Sequence, residues 1–479
     1  MYLLIEERSN KMSYQTINPF NNEVIQTFDN HDDAYVEKAI AEGHALYKKW
    51  RNDPASSRAA ILNKIADLME EDTDHLAKVL TIEMGKRFVE AQGEVALSVS
   101  IARYYAKNGA DFLNPEPIKS SMGDAQVISR PTGVLMMVEP WNFPYYQIIR
   151  VFAPNYIVGN PMLLKHASNT PMAASEFEKI VERAGAPTGA FANLFIDYDQ
   201  VNKIIADDRV QGVALTGSER AGQLIAAEAG KNMKQSSLEL GGSDPFIVLE
   251  DADLSEIKKI IGGARLYNAG QVCTSSKRFI VTEKNYDAVL TMLKDAFAEA
   301  KLGDPLLEDT TLAPLSTSKA KKNLTKQVKA AVDAGATLEY GSVVQDKPAA
   351  LFDPVILTGI TKDNPAYYQE FFGPVGQVYK VKDEEEAITL ANDSNYGLSG
   401  VVFGGSPEHA TEVASRIETG AVYVNSFGGT LPELPFGGVK NSGYGRELGR
   451  FGIETFVNKE LIVTKKEPID LDNAFGGFV

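Results

Sequence analysis

Cys273 stands in "NAGQVCTSSKRF" (268–279) and is the only cysteine among 479 residues. A single thiol cannot close an internal disulfide, and no metal is expected, because its surroundings lack the spaced partners of a zinc site. It is therefore either a small buried hydrophobe or a nucleophile. A thiol acting on a carbonyl carbon needs an oxyanion donor, a group that activates water, and an acceptor for what leaves. Of the five histidines, at 31, 44, 75, 166 and 409, four lie in polar helical contexts far in sequence from any glycine-rich turn, so a Cys–His pair has little support. Glu239 in "SSLELGG" places a charge inside an apolar run that ends at Gly-Gly. Such a carboxylate is either ion-paired or a base with a raised pKa. Asn142 in "VEPWNFP" stands between an apolar run and a helical one, where it either caps the helix or donates its amide to an oxyanion. Gly217 and Ser218 in "LTGSERAG" turn a strand into a helix, with Ser218 a plain N-cap or the helix start a seat for a pyrophosphate. Tyr146 and Arg150 follow Asn142 at four-residue steps, which puts Arg150 about 12 Å along one helix face. That arginine is either a structural ion pair or the partner of a substrate carboxylate.

The elements that must position these residues follow from periodicity. Apolar runs at 133–138, 161–165, 191–196, 212–216 and 236–240 read as buried strands, with helices at 144–158, 171–184 and 218–229 between them. Alternation of this kind predicts a parallel sheet with ligands at the carboxyl ends of its strands. Helices are expected earlier at 32–52, 54–82 and 86–110. A second α/β pattern begins at "DPFIVLEDADL" and runs to about 440, with helices at 254–267, 286–301 and 317–334. The terminal "ELIVTKK" and the alternating segment near 125–130 find no partner inside either layer, which predicts edge pairing with another subunit. Neither a Walker sequence nor GxGxxG is present.

Length alone predicts two or three substructures, and a composition of 44% apolar and 23% charged residues is that of a soluble globular chain. A net charge of −16 disfavours nucleic acid and anionic membrane as partners. With neither a membrane-length apolar run nor a secretory leader, a cytoplasmic setting is expected, and Met12 could be the natural start.

"EPWNFP", "LLKHASN", "LTGSER", "LELGGSDPFIV", "NAGQVCTSSKRFIV", "EFFGPV", "NYGLSG" and "PFGGVKNSGYGREL" together, in order and over about 14–465, resemble the aldehyde dehydrogenase superfamily. The 34-residue separation of Glu239 and Cys273 also resembles the family's, and "KHASN" and "GGSDPF" are most similar to its bacterial succinate-semialdehyde dehydrogenase branch. The resemblance implies an aldehyde dehydrogenase-like α/β fold of two Rossmann-like domains plus a small β oligomerisation element. Residues 1–119 and 139–241 would bind the dinucleotide, 242–440 would form the catalytic domain, and 120–138 with 455–479 would bridge subunits of a homodimer or homotetramer. It further implies Cys273 as nucleophile, Asn142 and the Cys273 N–H as oxyanion hole, and Glu239 as the base that hydrolyses a thioester left after hydride transfer. Gly217, Ser218, Glu370, Phe372 and Trp141 would line the cofactor site, Trp141 having core packing as its other reading. Lys165 would bind the adenosine ribose. Ser168, where NAD-preferring relatives often carry Glu, removes a repulsion against a 2′-phosphate, so NADP is expected, with NAD possible. Asp197 in "FIDYDQ" replaces a Gly-rich turn and pulls the other way. Arg150 with Thr430 would anchor the carboxylate of a small anionic aldehyde, succinate semialdehyde. A broad-specificity NAD-dependent enzyme and a catalytically silent scaffold of the same fold are the alternatives.

Overall fold

A computed structural model describes residues 14–465. The expected start at Met12 and the end of the expected bridging segment, beyond 465, lie outside them. Two sheets organise the chain. The first has six strands in the order Gly443–Tyr444, Gln235–Glu239, Val210–Thr216, Val134–Glu139, Met162–His166, Phe191–Asn193, parallel except for Gly443–Tyr444. Its direction of winding reverses between Val134–Glu139 and Val210–Thr216, and at such a switch point the loops leaving neighbouring strands part to open a crevice. The loop leaving the first is Pro140-Trp141-Asn142, and the loop leaving the second is Gly217-Ser218.

The second sheet has seven strands, ordered Thr337–Tyr340, Val355–Thr358, Val375–Val381, Ser276–Thr282, Asp244–Val248, Ser399–Phe403, Ala421–Val424, with only Thr337–Tyr340 antiparallel. Leu240 to Ser243 carry the chain directly from the carboxyl end of the first sheet to the amino end of the second. The two sheets therefore face each other across the segment that carries Glu239, and Cys273 lies on the loop entering Ser276–Thr282.

Most helices fall where periodicity puts them, with boundaries moved by a few residues: Asp33–Trp50, Phe88–Asn108, Pro144–Val158, Pro171–Arg183, Glu219–Lys231, Leu254–Leu266, Glu283–Ala298 and Ser318–Asp333. The segment expected as one helix at 54–82 is instead a short 3-10 turn followed by Ala59–Glu71 and Thr73–Met84, broken at Asp72.

Two placements differ from the sequence reading. Val457–Thr464 pairs with Asp124–Pro131, which on its other side pairs with Glu116–Ile118, in a three-stranded antiparallel sheet of their own. The partner of each was thus in the same chain, more than three hundred residues away, where no local pattern could reveal it. Val134–Glu139 is also the centre of the six-stranded sheet rather than part of the bridge. The crossing falls at Thr132-Gly133, whose N–H groups donate to Asn160 Oδ1 at 2.9 and 3.3 Å, and Gly133 adopts φ 150°, a conformation that favours glycine.

Candidate active site

Strand Gln235–Glu239 ends with a buried carboxylate because its Leu238 and Glu239 pair with Tyr444 and Gly443 on one side and with Leu215 and Thr216 on the other. Glu239 is 1% exposed, and the backbone N–H of Gly217 donates to its carbonyl at 2.9 Å. Burial and the neighbouring Glu447 push its pKa well above the usual carboxylate range, against the pull of Arg150 and Arg446. Glu139 and Glu447 are buried beside it with pKa values raised by the same desolvation. Three buried carboxylates thus share one fully buried guanidinium, and desolvation together with their mutual repulsion raises the pKa of the group.

Arg150 is that guanidinium. Its Nε pairs with Glu447, Nη1 donates to the Tyr146 hydroxyl at 3.0 Å and Nη2 to Thr216 Oγ1 at 3.1 Å. It lies behind the rings of Tyr146 and Phe436, 4.9 and 4.6 Å from their centroids. Those two rings, and not Arg150 itself, face the cavity that contains Cys273.

Asn142 is 4% exposed, and its Nδ2 donates to the carbonyl of Gln271 at 3.1 Å, on the loop that carries Cys273. It does not cap the helix that follows. Glu94, from helix Phe88–Asn108, accepts from the N–H groups of Tyr145 and Tyr146 at 2.9 and 3.3 Å and satisfies that helix start instead. The buried ion pair of Glu94 with Lys86 completes the arrangement, since Lys86 Nζ donates to the Asn142 carbonyl at 2.8 Å. Asn268 Nδ2 donates to the same carbonyl at 3.0 Å. Only one of the two amide hydrogens of Asn142 is engaged, which leaves the other to donate elsewhere. The sequence reading passed over Lys86, in the loop before helix Phe88–Asn108, and Glu94, a charge among the buried positions of that helix.

Cys273 is half-buried, after a turn in which Asn268, Ala269 and Gly270 all take positive φ (51°, 52° and 73°). Strain of this kind at Ala269 persists only where the surroundings hold it. Burial pushes the thiol up to about 12, with Arg150 and Lys277 drawing it down and Glu370 and Asp244 opposing them.

Two cavities meet at this thiol. One is lined by Trp141, Asn142, Gly217, Ser218, Glu370 and Phe372, at the switch point of the first sheet. The other is lined by Tyr146, Tyr267, Phe427, Thr430 and Phe436. Among the described residues only Cys273 and Gln147 line both, and only Cys273 is a nucleophile. Gln147, which the sequence reading left out, has its carboxamide oxygen buried without a protein partner.

The first cavity has the lining to hold one half of a dinucleotide. Trp141 and Phe372 meet edge to face, centroids 5.6 Å apart, so Trp141 forms a wall rather than core. Ser218 caps helix Glu219–Lys231 by accepting from Ala221 N–H at 3.3 Å, yet it is exposed on the crevice, so capping and anion binding are compatible there. A Cβ on Gly241 would collide with the Glu370 carboxylate, which closes tightly over that glycine. Lys165 and Ser168 lie outside this cavity, at the carboxyl end of the neighbouring strand Met162–His166. The Lys165 ammonium donates to the His166 carbonyl at 3.2 Å and stands 5.0 Å from the Tyr198 ring centroid and 5.6 Å from that of Tyr14, and burial lowers it to about 8. Asp197 is committed to a capping box with Gln200 that starts helix Tyr198–Ala206, a D-x-x-Q pattern that the reading of "FIDYDQ" overlooked.

Among the described residues no group of three or more His, Cys, Asp or Glu could hold a metal ion, and no helix is long and apolar enough to cross a membrane.

The chain is similar over nearly its whole length to known enzymes. Succinate-semialdehyde dehydrogenase (NADP(+)) of Deinococcus radiodurans is 44% identical over 458 residues, 95% of this chain and 96% of that protein. The crystal structure of succinic semialdehyde dehydrogenase from Streptococcus pyogenes in complex with NADP+ superposes with a TM-score of 0.93 at 55% identity, covering 94% of this chain and 100% of that one. A point mutant of betaine aldehyde dehydrogenase from Staphylococcus aureus, in complex with NAD+, is 29% identical with a TM-score of 0.92, over 97% and 96% of the two chains. The profile of the aldehyde dehydrogenase family matches residues 5–462, and the chain belongs to that family.

Proposed function

We propose that the protein oxidises succinate semialdehyde to succinate with NADP, and the observation that carries this reading is the position of Cys273 where the two cavities meet. Gly217, Ser218, Trp141, Glu370 and Phe372 would hold the nicotinamide half of the cofactor, and Lys165 with Ser168 the adenosine side. When bound, the cofactor supplies a hydride acceptor. Cys273 adds as thiolate to the aldehyde carbon, and the oxyanion so formed receives the free amide hydrogen of Asn142 and the Cys273 N–H. Loss of hydride from that carbon leaves a thioester on Cys273. Glu239 then takes a proton from water, the hydroxide adds to the thioester carbonyl, and the sulfur departs as thiolate.

The far end of the substrate pocket supports an anionic substrate through an indirect device. Arg150 turns one donor from each of its three nitrogens to Glu447, Tyr146 and Thr216 and does not line the pocket, so direct contact with a carboxylate is not the favoured role. Its donation to the Tyr146 oxygen leaves that hydroxyl able to donate its own hydrogen, while burial raises the phenol to about 12 against the pull of Arg150 and Thr430. Tyr146 and Thr430, which interact with each other, both line the pocket and would hold the carboxylate, with the Arg150 charge behind them. Tyr146→Phe is therefore expected to raise KM for succinate semialdehyde roughly tenfold, the worth of one hydrogen bond to a charged group, and to leave butanal within twofold. Steady-state kinetics on both aldehydes test this, and an equal change for the two would refute the anchor. Glutarate semialdehyde should remain a substrate, since one methylene alters binding by only ~1–3 kcal/mol.

Lys165 makes cofactor choice depend on pH. Its ammonium, lowered to about 8, loses its proton as pH rises through that value and can then no longer attract a 2′-phosphate. KM for NADP should climb several-fold between pH 7 and 9 while KM for NAD stays nearly flat. A constant ratio of the two over that range would exclude Lys165 from phosphate binding.

The three-stranded sheet exposes Leu461, Ile462 and Val463 at 59%, 36% and 38% on its terminal strand, which supports assembly as a homodimer or homotetramer through that element.

A further inference from the structure

The side chain of Lys277 is wholly buried four residues beyond the nucleophile, and the reaction as described has no use for it. Its ammonium donates to the carbonyls of Val272 and Cys273, each at 2.8 Å, and to that of Ser275 at 3.4 Å. The same nitrogen lies 3.2 Å from Glu370 Oε1, which also accepts the Gly242 N–H at 3.1 Å. Cys273 and Glu370 sit on separate loops, and these loops enter the neighbouring strands Ser276–Thr282 and Val375–Val381 of the second sheet. A buried ammonium is costly to desolvate, and hydrogen bonds among neutral groups would suffice merely to close a turn. This one spans the gap between the thiol's backbone and the carboxylate that lines the cofactor crevice.

We propose that Lys277 is a positioning residue that ties the backbone of Cys273 to Glu370, so that the nucleophile and the cofactor crevice share one setting. The proposal rests on the reading of Cys273 as nucleophile and of that crevice as the cofactor site. Four charged groups act on the thiol, Arg150 and Lys277 favouring thiolate, Glu370 and Asp244 opposing it; Lys277 itself is faced by Glu370 and Asp244. Removing the ammonium then has two separate consequences. The thiolate loses a nearby cation, and the Glu370 carboxylate loses its brace.

The test is Lys277→Met in the full chain, read by two measurements. The rate at which iodoacetamide labels Cys273 at pH 8 without cofactor should fall about tenfold, one pH unit of thiolate population. KM for NADP should rise about tenfold in the same variant. Movement of both supports the tie; movement of one alone, or of neither, overturns it, because a residue bracing only the loop or only Glu370 would shift a single readout. Should Lys277→Met fail to fold, Glu370→Gln decides. It takes from the ammonium one of its two counter-charges, the other being Asp244, and labelling of Cys273 should become several-fold faster, whereas an unchanged or slower rate overturns the tie. The unsubstituted protein separates this from failure of the underlying reading: if it neither reduces NADP with an aldehyde nor is labelled at Cys273, that reading has failed and not the tie alone.

Discussion

Glu239→Gln should oxidise its aldehyde once and then stall. The amide keeps the shape of the carboxylate but cannot take a proton from water, so the thioester on Cys273 forms and persists. A burst of one reduced cofactor per Cys273 is expected, followed by turnover slower by about a thousandfold, within the range a positioned general base contributes. Intact-protein mass spectrometry should find the succinyl adduct on Cys273, the single thiol of the chain. The pH dependence follows from the raised pKa of Glu239, which burial and Glu447 sustain. Below that value the group is protonated and cannot serve as base, so hydrolysis in the unsubstituted protein should rise with pH through it. In Glu239→Gln that dependence should vanish from the slow phase. Unimpaired turnover in this variant would remove Glu239 from the reaction.

Asn142→Ala is expected to act on the other half of the cycle. It deletes the donor proposed for the developing oxyanion, and loss of one such donor typically costs about 10²–10³ in turnover, about 2.7–4 kcal/mol. The burst should therefore disappear, because formation of the thioester becomes slow. The backbone contacts of Asn142 survive the change: Lys86 and Asn268 hold its carbonyl, not its side chain. Labelling of Cys273 by iodoacetamide creates no oxyanion and should stay within a few-fold of normal. A parallel collapse of labelling would mean that the side chain holds the Gln271 loop in place rather than assisting the chemistry.

Much of the scaffold was legible because local sequence dictates it. Apolar runs bounded by Gly and Pro mark the parallel strands, and strand-helix alternation marks the two sheets, since period and turn chemistry act over a few residues. The candidate residues also stand out by type and place: a lone Cys, a Glu within an apolar strand, an Asn between strand and helix. In "FIDYDQ" the Asp and Gln form a capping box, a D-x-x-Q pattern that is local to the sequence.

What no stretch of sequence could decide depends on residues brought together from far apart. The terminal strand finds Asp124–Pro131 within its own chain, a pairing that only closure of a loop of several hundred residues creates. Arg150 looked able to meet a substrate directly until the fold brought Glu447 to it from nearly three hundred residues away and set the guanidinium behind the pocket wall. Asn142 was freed from capping because Glu94 reaches the same helix from another. Residue type sets what a group can do in water, and burial decides which state of it survives: raised carboxylates, a lowered lysine and a cation shared between two loops are effects of desolvation and proximity, which exist only once the chain has folded.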